Sequence, residues 1–257
     1  MDSPRSRLSR SIDLPIGEVH LWHAWLRLTT EESARLMSVL SPDEIVAAEA
    51  FTVDGARHQY VVSRALLRIL LATYVDSAPQ DLCFGIEAMG KPILTGAHRD
   101  IRFNLSHSGG LVAYGVARER SVGVDLERVR PLPRAIALAR RYFSFEEAKE
   151  VEAESDGSRD RKFLTFWVRR EAGAKARGAS VWRALERYGH GPAGPNSSAQ
   201  WRVERDDPEW MTLSLDYEKE FVVSVVAEGS DWRLVTKGKV GRIEKDNLGS
   251  VDFDVCL

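Results

Sequence analysis

Gly123-Val124-Asp125-Leu126-Glu127, taken with Trp167-Val168-Arg169-Arg170-Glu171 and Lys175, is the stretch on which the reading of this chain turns. Val122 to Leu126 is apolar and predicts a buried strand. Strand side chains alternate between faces, so Asp125 and Glu127 stand on the same one. Residues 161–177 read as a helix, where a spacing of four sets Phe163, Trp167, Glu171 and Lys175 on one stripe. That stripe begins apolar and ends charged. A carboxylate on the line set by two core aromatics is unfavourable unless a cation receives it. Three carboxylates, Asp125, Glu127 and Glu171, gathered at a hard divalent metal would remove that cost. Taken alone, the alternating acidic pair reads equally well as the solvated face of an edge strand.

Working outward, the 257 residues carry 44% hydrophobic content, enough for one sizeable core or two small ones. Thirty-six basic and 38 acidic residues give a net charge of −2, so no global field points to nucleic acid or an anionic membrane as partner. Cys83 and Cys256 are the only cysteines, which fits a reducing compartment and excludes a disulfide framework or a cysteine zinc site. No run approaches the roughly 18 apolar residues of a membrane span, and the polar N-terminus lacks the apolar core of a signal peptide. A soluble, cytoplasmic protein is expected.

Along the chain, residues 1–17 are polar and expected to fray, and 18–26 form a first strand. Thr29 with Glu32, and Ser41 with Glu44 behind Pro42, are capping-box patterns that start helices. Arg57 to Tyr74 carries an apolar helical face through Val61, Ala65 and Ile69. Strands are expected at 82–87, 101–105 and 111–117, with a turn at Met89-Gly90-Lys91-Pro92. The second half restarts at 122–127, breaks at Pro131 and Pro133, and enters helices, one capped by Ser144 and Glu147. Ser155 to Asp160 reads as a polar loop. Beyond the Gly- and Pro-rich stretches at 189–198, strands are expected at 199–204, 209–215 and 221–227. The fold class is α+β. The expected division is an N-terminal α+β subdomain at 1–119, a second at 120–228 bearing the metal site, and a mobile tail at 229–257.

Joined to Phe103-Asn104-Leu105-Ser106-His107-Ser108, to Gly90-Lys91-Pro92 and to Ser63-Arg64-Ala65-Leu66-Leu67-Arg68, the opening motifs resemble those of the Sfp-type 4′-phosphopantetheinyl transferases. The similarity runs from about residue 20 to about residue 227. The resemblance implies two similar α+β subdomains related by a pseudo-twofold axis, with the active site in the cleft between them. It also implies coenzyme A as donor, a serine of an apo acyl or peptidyl carrier protein as acceptor, and Mg²⁺ as the usual metal, Mn²⁺ being an alternative. On that resemblance Asp125, Glu127 and Glu171 are the metal ligands. Glu171 is also a candidate general base, and Lys175 reaches a phosphate oxygen. Ser106 and His107 would contact the pyrophosphate, and Lys91, Arg64 and Arg57 the nucleotide end. Arg170 stands where the family usually has lysine; it would still bring positive charge near phosphate, though as a planar fork instead of a compact ammonium. Gln59 stands where a related sequence would have arginine.

Two further readings stand beside this one. A coenzyme A or carrier-protein binding module without catalysis is favoured by Arg170 and Gln59. A metal-dependent phosphoester hydrolase would also use carboxylates and a lysine. Arg140-Arg141-Tyr142-Phe143 reads either as part of a basic, apolar groove for an acidic carrier helix or as a helix end whose cations complement the dipole.

Overall fold

The computed structural model describes residues 12–26, 30–179, 202–207, 209–243 and 251–254. In chain order it contains β1 (Glu18–Trp25), α1 (Thr30–Leu36), α2 (Pro42–Glu49), α3 (Asp54–Val75), β2 (Phe84–Ile86), β3 (Pro92–Leu94), β4 (Ile101–Ser108), β5 (Leu111–Arg118) and β6 (Val122–Arg128). It continues with α4 (Ala135–Tyr142), α5 (Phe145–Ala153), α6 (Asp156–Ala176), β7 (Arg202–Asp207), β8 (Trp210–Tyr217), β9 (Phe221–Glu228), β10 (Arg233–Ile243) and β11 (Val251–Asp254). Helices and mostly antiparallel strands of this kind make an α+β fold.

Two sheets are stacked between helices. One has the order β11-β10-β1-β5-β4, the other β6-β9-β8-β7. Strand alternation decides which side chains meet which layer. Trp22 and Ala24 of β1, Val112, Tyr114 and Val116 of β5, and Ile101 and Phe103 of β4 pack against α3 through Val62, Leu66, Ile69 and Leu70. The opposite face of that sheet, with Val19, Leu21, Leu111, Ala113 and Ala117, packs on Val122, Val124, Leu126, Val223 and Val225 of the second sheet. Outside the second sheet, α6 covers Val222 and Val226 with Phe166, Ala172 and Ala176, while α4 and α5 extend that layer. Interior positions on both faces of β9, with Val223 and Val225 toward the first sheet and Val222 and Val226 toward α6, explain its nearly unbroken apolar run.

Three expectations are corrected. The tail is not simply appended: β10 pairs in parallel with β1, from Glu18 opposite Arg233 to His23 opposite Lys239. Trp232, at 5% exposure, anchors the approach to that strand, and Arg233 is paired with Glu18. The strand covers an edge of β1 that would otherwise present unpaired amides and carbonyls. At the other terminus, Leu14 is buried and the Ile12 amide donates to Thr73 O at 2.9 Å, so the chain is docked from residue 12 onward. Finally, the expected loop at 155–160 is the first turn of α6, entered from Ser155 at the N-cap position. Thr29, Ser180, Val181, Cys256 and the 189–198 stretch lie outside the described residues.

Both complete capping boxes predicted within the described residues form, at Ser41/Glu44 and at Ser144/Glu147. Glu44 does more than cap. Its Oε1 accepts from Arg64 Nε at 2.6 Å and its Oε2 from Arg68 Nε at 2.5 Å, where the Arg68 side chain is only 2% exposed. Desolvation alone would raise the Glu44 carboxyl, but the Ser41 amide and the Arg68 and Arg64 guanidiniums outweigh it and hold it below the ordinary range. A carboxyl depressed by folding contributes stability above its unfolded pKa and loses it as pH falls through the folded value. Glu44→Ala strands the buried Arg68 charge and is expected to cost about 3 kcal/mol. Urea melts of the two proteins at neutral pH and near pH 3 check both points: the gap between them should narrow on acidification.

Candidate active site where the two sheets meet

β4 and β6 are edge strands of different sheets, and side chains bridge them where no ladder does. Every second residue of β4 from Asn104 onward takes part. Asn104 Oδ1 accepts from the Val124 amide at 2.9 Å, Ser106 Oγ donates to Asp125 Oδ1 at 2.7 Å, and Ser108 Oγ donates to Glu127 Oε2 at 2.8 Å. The period-two alternation of β4 thus delivers a column of short polar side chains to the carboxylate face of β6.

α6 completes the cluster from the other side. It lies so close to β6 at Gly123 that a Cβ there would sit 2.1 Å from Ala172 O and 2.4 Å from the Ala176 amide nitrogen. This close approach brings Lys175 Nζ to 2.6 Å from Asp125 Oδ1 and 3.3 Å from Val124 O. Glu127 Oε2 also accepts from Arg130 Nη1 at 2.7 Å. Among the described residues the Glu171 carboxylate has no hydrogen-bond or ion-pair partner. Burial first, then the negative charge of Asp125, pushes Glu171 up to about 7; Lys175 opposes this and Glu127 adds to it. Asp125 is likewise held above the ordinary carboxylate range by desolvation, against the pull of Lys175 and Ser106.

The donor set fits a hard divalent cation. Every donor is an oxygen, negative charge is in excess, and the three carboxylates feel one another's field. Even so, no three His, Cys, Asp or Glu side chains among the described residues are already grouped for metal binding. Asp125 and Glu127 each have one oxygen engaged by a serine and a cation, as above. The carboxylates therefore form a neighbourhood and not a finished coordination shell.

The other predicted residues fall into three groups. Ser106, Asp125, Glu127, Glu171 and Lys175 come together. His107 follows Ser106 on β4 but faces the opposite side by strand alternation and is exposed; partial desolvation, then the Lys175 ammonium, holds its imidazole below the usual range. Arg64 is paired with Glu44 and lies 4.9 Å from the Phe84 ring centre, while Arg57 Nη2 donates to Phe51 O at 3.1 Å. No contact joins either arginine to the carboxylates. Lys91 is tied to backbone instead, with Nζ 3.0 Å from both Val122 O and Ala176 O.

Arg170 departs from the expectation of a phosphate-facing cation. Its two terminal nitrogens grip Glu147, one of them at 2.9 Å, and its guanidinium lies 4.7 Å from the Phe143 ring centre. The planar fork matches a carboxylate bidentately, so it braces α6 to the capped N-terminus of α5. Arg170→Lys retains the charge but loses one arm. It is expected to lower the free energy of unfolding by about 1–2 kcal/mol, read from the guanidinium chloride midpoint. Arg140 is exposed and paired with Glu152 in the last turn of α4. Sequence reading gave no individual role to Asn104, Ser108 or Arg130. The alternation Asn104-x-Ser106-x-Ser108 was the available signal for the first two; Arg130 carried none.

Oxygen donors with a single ammonium, gathered where the edge strands β4 and β6 meet α6, suit an enzyme that handles a charged phosphate ester. Comparison with known proteins agrees. A family model described as the 4′-phosphopantetheinyl transferase superfamily matches residues 121–226, and one described as 4′-phosphopantetheinyl transferase, N-terminal, matches residues 23–119. The 4′-phosphopantetheinyl transferase HetI of Nostoc sp. is 31% identical over 225 residues, covering 87% of this chain and 93% of HetI. AcpT of Salmonella typhimurium, also a 4′-phosphopantetheinyl transferase, is 37% identical over 118 residues, 46% of this chain and 59% of AcpT. Sfp of Bacillus subtilis is 26% identical over 161 residues, 63% of this chain and 70% of Sfp. The chain belongs to the 4′-phosphopantetheinyl transferase superfamily. No helix among the described residues is long and apolar enough to cross a membrane.

Proposed function

We propose that this protein transfers 4′-phosphopantetheine from coenzyme A to a serine of an apo acyl or peptidyl carrier protein, as a cytoplasmic monomer that depends on Mg²⁺ or Mn²⁺. The observation that carries this reading is the meeting of Asp125 and Glu127 on β6 with Glu171 and Lys175 on α6. Asp125, Glu127 and Glu171 would hold the cation, which neutralises charge on the pyrophosphate oxygens. The serine oxygen attacks the β-phosphorus, the bond from that phosphorus to the bridging oxygen breaks, and 3′,5′-adenosine bisphosphate leaves. Glu171, whose carboxylate is placed among these groups, is also the candidate general base that accepts the serine proton. Lys175 holds Asp125 in place and supplies positive charge on the leaving side. Ser106 orients the same carboxylate from β4. His107 remains the candidate for a pyrophosphate contact, and Arg64 and Arg57 for the nucleotide end. The reading includes a division into subdomains at 1–119 and 120–228, with β10 returning to the sheet of the first.

Intact-mass spectrometry of apo carrier proteins incubated with the enzyme, coenzyme A and Mg²⁺ tests this reading. One phosphopantetheine added to the carrier serine is the expected result. Coenzyme A binding without transfer to any of several carriers would favour the non-catalytic module, and release of phosphopantetheine without acceptor would favour a hydrolase.

A further inference from the structure

The β2–β3 hairpin reaches across to the base of the two elements that bear the carboxylates. Lys91, just before β3, places its ammonium 3.0 Å from Val122 O and 3.0 Å from Ala176 O. Val122 opens β6, three residues before Asp125, and Ala176 closes α6, one residue after Lys175. The last carbonyls of a helix have no intrahelical partners and carry the negative end of its dipole. A lysine donated from elsewhere in the chain satisfies one of them. The neighbouring Glu87 carboxylate is paired with Arg102 at 2.9 Å and makes no ion pair with Lys91.

We infer that Lys91 is a positioning residue for the proposed transfer, clamping the start of β6 to the end of α6 so that Asp125 and Glu127 face Glu171 and Lys175 at a fixed separation. The inference rests on the function proposed above and assigns Lys91 a different part in it from the nucleotide contact that the resemblance implied. The ammonium is largely buried, and a buried cation is held where its partners are. Burial pulls it down to about 8, with Glu87 opposing and Arg102 assisting. Its two partners are backbone atoms of the catalytic elements. Losing the clamp should therefore disturb their relative placement before it disturbs donor binding.

Lys91→Met keeps the aliphatic stem and removes the donors; Lys91→Arg restores two. The expected result for Lys91→Met is a kcat reduced at least tenfold, with the KM and calorimetric Kd for coenzyme A within twofold of the parent. Amide exchange at 174–179 should be faster, and Lys91→Arg should recover most of kcat. A tenfold rise in KM and Kd at unchanged kcat would overturn the inference, since Lys91 would then be a donor-binding group. Unchanged kcat, or no recovery in Lys91→Arg, would overturn it equally. Should Lys91→Met be too unstable to assay, Lys91→Arg alone decides: donor affinity held within twofold supports the clamp, and tenfold weaker binding rejects it. Failure of the functional reading looks different, because the parent protein itself would then transfer nothing.

Discussion

Asp125→Ala is expected to lower kcat/KM for carrier modification by about 10³ or more, on the scale of removing a principal electrostatic group from an active site, while the protein stays folded. Asp125 is the hub of the cluster, with Oδ1 accepting from Ser106 at 2.7 Å and from Lys175 at 2.6 Å. Removing it deletes a proposed ligand, unties Lys175 and takes away the negative charge that helps raise Glu171. Folding should tolerate the change, because Asp125 itself sits above its usual range through desolvation. Lys175 keeps a bond to Val124 O and is 29% exposed, so its charge is not stranded. Rates with an apo carrier and a thermal melt of the same preparation check both halves of the expectation. Activity within tenfold of the parent would remove Asp125 from the ligand set.

Gly123→Ala should be nearly as severe for activity and worse for the fold. The added methyl carbon would meet Ala172 O at 2.1 Å and Ala176 N at 2.4 Å, both backbone atoms of α6. No side-chain rotation relieves such a contact; the helix must move off the sheet. Overpacking of this kind costs about 1–3 kcal/mol, here at the upper end. Glu171 and Lys175 travel with the helix, and a displacement on the order of 1 Å costs about 10²-fold in rate. Equilibrium unfolding and kcat should fall together. Wild-type stability and turnover in this variant would mean that α6 and β6 do not pack as described.

The legible parts of this protein were those set by neighbours in sequence. Ser41 with Glu44, and Ser144 with Glu147, are three residues apart, so each cap could be read before any fold was known. The alternation of Asp125 and Glu127, and the stripe from Phe163 to Lys175, are likewise local geometry. What stayed hidden depends on partners far along the chain. Glu44 reads as a cap, yet it also receives a buried arginine 24 residues away. Arg170 sits in the expected motif, yet Glu147, 23 residues earlier, claims its guanidinium. Nothing local announces the place of β10 beside β1, because a parallel partner more than 200 residues away leaves no signature in the neighbouring sequence. Gly123 is visible in the motif, but its purpose, the near contact with α6, needs the helix in place.

The central claim is that Asp125, Glu127 and Glu171 turn onto a single divalent ion between β6 and α6. Its most direct test is the anomalous difference density of a crystal grown with Mn²⁺ and coenzyme A. The account predicts one peak bounded by oxygens of all three carboxylates at roughly 2.0–2.3 Å, bracketing the distances typical of octahedral oxygen ligands, with the remaining positions open to pyrophosphate oxygens and water. A peak elsewhere, or one at Asp125 and Glu127 with Glu171 turned away, would contradict it.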